Sequence, residues 1–177
     1  MDYKKEIEFY RMYAGNSPYE IILNSTFKDD FFMVSAGEFN YTDPIETRIT
    51  LGKKTYDILT FNDGANRVIS DKLFVLLKRN KITGWKTYPV SIKGVDENYH
   101  GFQVTGRCGE LIEPENKNEE DSYKGLHFDP DSWDGSDIFF PKGTVLTFLS
   151  PRVKELLESN NITNIEIDNI KDCTGYY

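Results

Sequence analysis

The chain is poor in the residues that build most catalytic and metal centres. It holds two histidines, His100 and His127, and two cysteines, Cys108 and Cys173, in 177 residues. Two cysteines so far apart make neither a disulfide framework nor the paired spacing of a zinc site. No apolar run approaches the roughly 20 residues of a membrane-spanning helix. The opening MDYKKEIEFYRMYAG lacks the apolar stretch of a secretory signal, so the chain reads as cytoplasmic. Cations are also scarce: 21 Lys and Arg stand against 29 Asp and Glu, a net charge of −8. A nucleic-acid surface needs clustered cations to displace phosphate counterions, so this balance argues against nucleic acid as a partner. Nucleophile-elbow, Walker, GxGxxG and HExxH patterns are missing as well.

Core material is not scarce. Hydrophobic residues make up 38% and aromatics 14%, in a length that suits one domain with its own core, residues 1–177. The strongest internal signal is self-similarity at an offset of 80. DILTFNDGANRVISDKLFVLLKRNKITGW from Asp57 aligns without gaps on DIFFPKGTVLTFLSPRVKELLESNNITNI from Asp137. Asp57/Asp137, Ser70/Ser150, Leu76/Leu156, Leu77/Leu157, Asn80/Asn160, Ile82/Ile162 and Thr83/Thr163 are among the identical pairs.

Each copy, over 57–92 and 137–170, reads as β-β-α-β. Ser70 and Ser150 are placed to cap helices, and Pro151 stands where a missing N–H costs nothing. Leu73, Leu76 and Leu77, like Val153, Leu156 and Leu157, form one apolar stripe. Asn80 and Asn160 fall where a left-handed residue ends a helix, and Ile82 and Ile162 begin the next strand. Asn161-Ile162-Thr163 matches a glycosylation acceptor, but the first copy has Lys81 at that place, so the match reads as incidental.

Residues 1–56 read as strands, in EIEFYRMY, YEIILNS, DDFFMVSA and TRITLG, divided by turn residues. KTYPVSI and YHGFQVTGRCGELI add two more, and EPENKNEEDSYKG reads as an exposed charged loop. Two short capped helices among many strands predict an α+β fold with a mixed, mostly antiparallel sheet.

Chemistry-bearing patterns are thin. HFDPDSWDGSD gathers His127, Asp129, Asp131, Asp134 and Asp137, but the calcium-loop register fails, with Trp133 at position five and Phe140 at twelve. The segment reads as a turn-rich loop, and no metal or cofactor is expected. His100 or His127 with Cys108 or an aspartate would be the makings of a small enzyme, since such partners meet in space rather than in sequence. Lone histidines and a strand cysteine are more often ordinary structure, so no catalytic residue is assigned. Trp85, Tyr88, Phe102 and Trp133 read as packing rather than a ligand cage.

The stretches ISDKLFVLLKRNKITGWKTYPV and WDGSDIFFPKGTVLTFLSPRVKELLESNNITNIEI resemble a bacterial immunity-protein family, the Myxococcus-type eleventh class of polymorphic-toxin immunity proteins. The likeness covers roughly residues 57–167, with Asn164 where a glycine is more usual. It implies a cytoplasmic protein encoded beside a toxin, which binds that toxin and blocks it, and it implies no catalytic residues. Glu113, Glu115, Glu119, Glu120 and Asp121, with Asp129 and Asp131, are the carboxylates expected to meet a toxin, for instance a basic nuclease. The competing expectations are an interaction or scaffold domain without a toxin, and the small enzyme.

Overall fold

The computed structural model describes residues 7–25, 29–61, 66–112 and 122–176. Their strands are β1 (Tyr10–Ala14), β2 (Ile22–Ser25), β3 (Ile45–Leu51), β4 (Ile58–Phe61), β5 (Asn66–Ser70), β6 (Trp85–Lys93), β7 (Tyr99–Val104), β8 (Gly106–Cys108), β9 (Ser122–Lys124), β10 (Ile138–Pro141), β11 (Thr147–Leu149), β12 (Ile165–Asn169) and β13 (Thr174–Tyr176). The helices are α1 (Phe31–Ser35), α2 (Asp71–Arg79) and α3 (Pro151–Ser159), with a 3-10 turn at Pro130–Ser132. No helix among the described residues is long and apolar enough to cross a membrane.

The chain is α+β, and its described strands form a barrel, an open sheet and a separate two-stranded pair. Six strands close a barrel in the order β2-β3-β6-β7-β5-β4, and five form a sheet in the order β12-β1-β11-β10-β8. β9 and β13 pair with each other. Pairing is mostly antiparallel; β2 with β4, β3 with β6 and β8 with β10 run parallel. Closure follows because the β2–β3 pair joins the outer edges of β4 and β6.

The two segments that match in sequence are built alike. Residues 57–92 contain β4-β5-α2-β6, and residues 137–170 contain β10-β11-α3-β12. α2 begins at 71 and α3 at 151, and 151 − 71 = 80. Ile58 lies opposite Ile69 in one segment, as Ile138 lies opposite Leu149 in the other. Each four-stranded array is completed by a strand from outside its segment. β7 lies between β5 and β6, with His100 opposite both Ile69 and Pro89. β1 lies between β11 and β12, with Tyr10 opposite both Leu149 and Asn169. An N-terminal strand thus takes the place that a following strand takes in the first array.

The helix ends depart from expectation in detail. Asn80 and Asn160 have φ of −88° and −103°, so neither is left-handed. The left-handed residues come one place later, Lys81 at 51° and Asn161 at 48°. The asparagine amides instead donate back to Leu76 O (2.9 Å) and Leu156 O (2.8 Å). Ile82 N–H reaches Leu77 O and Ile162 N–H reaches Leu157 O, the six-to-one bond of a Schellman ending. Ile82 and Ile162 are therefore buried anchors of the turn, and the strands begin at Trp85 and Ile165. At the other end, Ser70 Oγ accepts from Leu73 N–H, whereas Ser150 makes no side-chain cap. Both hydroxyls donate to the aspartate 13 positions earlier, Ser70 to Asp57 at 2.8 Å and Ser150 to Asp137 at 3.0 Å.

DDFFMVSA, expected as a strand, contains helix α1. A short apolar run does not tell strand from helix, and the cap decides it. Asp30 Oδ1 accepts from Phe32 N–H (2.9 Å) and Met33 N–H (3.2 Å), which starts a turn that buries Val34 and Ser35.

Apolar residues collect in three groups. One lies between the arrays and joins Ile58, Ile69, Leu73, Leu77 and Phe102 to Met12, Ile138, Leu149, Val153 and Leu157. A second fills the barrel around Leu23, Val34, Phe61, Val68 and Tyr88. The third gathers Phe9, Cys108, Phe128, Phe139 and Phe148 on the far side of the five-stranded sheet.

Arg67 is an anomaly between the arrays. Its Nη1 donates to Thr147 Oγ1 at 3.0 Å, but its Nε is buried without a partner. Burial, with the Arg11 charge adding, lowers its pKa to about 10, so it stays protonated at neutral pH. A buried cation without an acid opposite it costs stability. Arg67→Met is expected to raise the thermal midpoint by a few degrees, equivalent to roughly 1 kcal/mol, as read by scanning calorimetry.

Candidate functional site

The aspartates of HFDPDSWDGSD are placed by their own backbone. Asp129 starts the 3-10 turn by accepting from Asp131 N–H at 3.0 Å. Asp134 accepts from Arg107 N–H (2.8 Å) and Ser136 N–H (2.9 Å), which ties the loop to the edge strand β8. Gly109 N–H donates to Ser132 Oγ at 2.8 Å and extends that seam. Asp137 leaves the cluster altogether: it accepts from Ser150, Thr83 and Arg152. Among the described residues no three His, Cys, Asp or Glu side chains gather as metal ligands.

This folding carries Trp133 into the third apolar group. Its indole N–H donates to Ser136 O at 2.9 Å, and its ring meets Phe9 edge-on, with centroids 5.0 Å apart. Phe9 in turn packs on Phe128 at 5.2 Å. Between them runs an open groove of about 640 Å³, with Ile7 on its lip. Its floor is aromatic; Asp129, Asp131, His127 and Lys171 stand on its rim. Ile7 is 51% exposed there, and nearby Ile112 is 58% exposed.

The structure therefore brings Asp129 and Asp131 together at one groove. Glu113, Glu115, Glu119, Glu120 and Asp121 lie outside the described residues. The chain enters that stretch beside the groove, because Ile112 N–H donates to His127 O at 2.7 Å.

The residues considered for catalysis are dispersed. His100, on β7, faces the start of α2, its Nε2 3.1 Å from Asp71 Oδ1 and its ring stacked 4.2 Å from Phe74. Cys108 is buried among Phe9, Phe128 and Phe139, and burial, helped by the Asp134 charge, pushes its thiol up to about 12. That thiol is a packing group and not a nucleophile at neutral pH. His127 does share the groove with two carboxylates, though no serine, threonine or cysteine among the described residues lines it.

Of the four aromatics read as packing, Tyr88 fills the barrel, Phe102 the shared group, and Trp85 rests on that group. Trp133 alone of the four borders the groove. Phe9 and Phe128 escaped the sequence reading as site residues. Phe9 directly precedes β1, in a stretch that read as an ordinary strand, and more than a hundred positions of chain separate it from its aromatic neighbours. No family model matches the chain, and no curated protein matches it.

Proposed function

We propose that the protein is an immunity protein that binds a cognate bacterial toxin one to one in the cytoplasm and blocks it by contact. The observation that carries this reading is the groove, an aromatic floor with two exposed carboxylates on its rim. Aromatic anchors in a partly desolvated pocket supply most of the energy at protein interfaces, and rim charges set approach and orientation. A net charge of −8 favours a basic toxin, a nuclease being one such. The likeness of residues 57–167 to toxin-immunity proteins points the same way. A second reading, a small enzyme, is favoured by His127 sharing the groove with Asp129 and Asp131.

One experiment separates them. The protein is co-expressed with the toxin encoded beside it, and growth and complex formation are followed for wild type, Trp133→Ala, Asp129→Lys/Asp131→Lys and His127→Ala. Wild type is expected to restore growth. Trp133→Ala is expected to weaken the complex by about 30-fold or more, the loss of a typical interface anchor. The double lysine variant, which changes exposed positions only, is expected to slow association most strongly at low salt. His127→Ala is expected to protect as well as wild type. Loss of protection with the complex intact would favour the enzyme, and no rescue and no complex from wild type would end the immunity reading.

A further inference from the structure

The groove beside Trp133 offers two different surfaces to whatever enters it. Its floor is carbon. Phe9 and Phe128 are 4% and 7% exposed, so the half-buried Trp133 is the ring left open to a ligand. The indole N–H is already taken by Ser136 O at 2.9 Å, so that ring brings π surface and no free donor. The rim is anionic, with Asp129 and Asp131 both exposed. Among the described residues, Asp129 accepts through Oδ1 alone, from Asp131 N–H, and no bond or ion pair reaches the Asp131 carboxylate. Lys171, the cation among the described rim residues, already has a partner.

The two aspartates are held rather than loose. Asp129 opens the 3-10 turn Pro130–Ser132, and Ser132 Oγ accepts from Gly109 N–H at 2.8 Å. Four residues later than Pro130, Asp134 accepts from Arg107 N–H at 2.8 Å. Both bonds tie the loop to β8 and its end, so the rim charges keep their place beside the floor. A ligand meeting such a preformed rim loses less freedom to ordering of the site.

We infer that the groove seats an arginine side chain of the partner, its guanidinium lying on Trp133 and its N–H edge reaching Asp129 and Asp131. This rests on the reading of the groove as the partner's docking site, and it names the group that enters. A guanidinium is planar and weakly hydrated; its face stacks on an aromatic ring while its in-plane donors meet carboxylates. The ammonium of lysine holds its water more tightly, and nothing on a carbon floor replaces that water. An apolar side chain would use the floor and leave both carboxylates without a counter-charge. Arginine alone among the common side chains matches floor and rim together.

The test uses the full chain labelled with fluorotryptophan, which gives fluorine resonances for its two tryptophans, Trp133 in the groove and Trp85 outside it. Trp85→Phe assigns them. Capped tripeptides with arginine, lysine or citrulline between two glycines are titrated in turn; citrulline keeps the shape of arginine without its charge. The arginine peptide is expected to move the Trp133 signal saturably and to leave Trp85 still. The lysine peptide is expected to bind at least fivefold more weakly, and the citrulline peptide at least tenfold. Asp129→Asn/Asp131→Asn, which keeps an oxygen at the turn, is expected to weaken the arginine peptide tenfold or more. Equal affinity for arginine and lysine, equal affinity for citrulline, no movement of the Trp133 signal, or full affinity in the double asparagine variant would each overturn the inference. The two readings fail separately. A toxin complex that forms while the titration shows no arginine preference removes this inference and leaves the immunity reading; arginine-selective binding without a toxin complex does the reverse.

Discussion

Removing residues 1–14 is expected to abolish the cooperative thermal transition, leaving a chain with strand content but exposed apolar surface that binds a hydrophobic dye. The size of the effect follows from where β1 lies. It is not an edge strand but runs between β11 and β12, so its loss breaks two ladders at once. It also strips out Phe9 and Met12, which are 4% and 5% exposed and belong to different apolar groups. Truncating a buried Phe costs about 3–5 kcal/mol and a buried Met about 2–5 kcal/mol. Together these match most of the roughly 5–15 kcal/mol that holds a typical domain folded, before the lost ladder bonds are counted. Differential scanning calorimetry and dye fluorescence read the outcome. A retained sharp transition would mean that the five-stranded sheet does not depend on β1.

Asp57→Ala is expected to cost about 3 kcal/mol, read as a lowered denaturant midpoint at unchanged slope. The carboxylate is a crossing point between the arrays. Its Oδ1 accepts from Ser70 Oγ at 2.8 Å, and its Oδ2 from Thr163 N–H and Thr163 Oγ1, both at 2.9 Å, and from Lys72 at 3.2 Å. Removing it leaves a partly buried seam of donors without their acceptor. Asp137 makes the reciprocal set, accepting from Ser150, from Thr83 N–H at 2.9 Å and from Arg152. The pair at Asp137 is more open to water, so Asp137→Ala is expected to cost less.

The Asp57 seam also sets a pH dependence. Burial by itself would raise the carboxyl pKa, but the bonds from Thr163, Ser70 and Lys72 outweigh it, and the group titrates below its ordinary 3.8. A carboxyl whose folded pKa is depressed adds stability that is present above 3.8 and is lost as pH falls through the folded value. Midpoints measured across the acid range are therefore expected to converge between wild type and Asp57→Asn as pH falls below that point.

Much of the local structure was legible because it is governed by short-range rules. Ser70, the leucine stripe and Asn80 announce a helix of one length, and their partners at 150, 156–157 and 160 announce it again. The exact cap was less legible. Both serines donate to the aspartate 13 positions earlier, yet only Ser70 also accepts from its own helix, a difference that the matching residues do not announce. α1 was misread because a run of apolar residues carries no period, and only Asp30 distinguishes the alternatives. The place of β1 between β11 and β12 was not legible at all. The offset of 80 aligns three strands and a helix, but the fourth strand of each array lies outside the aligned window. The groove is hidden for a related reason. Asp129, Asp131 and Trp133 are close in sequence, but the floor they stand over is Phe9, delivered by β1.

The borrowed strand also fixes an order of assembly. Every strand of the barrel lies between residues 22 and 104, so on the ribosome that half can close while the later chain is still being made. β1 emerges before all of them and has no partner until β11 and β12 follow; Tyr10 must wait for Asn169. Its closure spans nearly the whole chain, and contacts so distant are the slowest to form. A strand synthesised before the barrel is therefore among the last to be used, and through that interval Phe9 and Met12 remain uncovered unless something shields them.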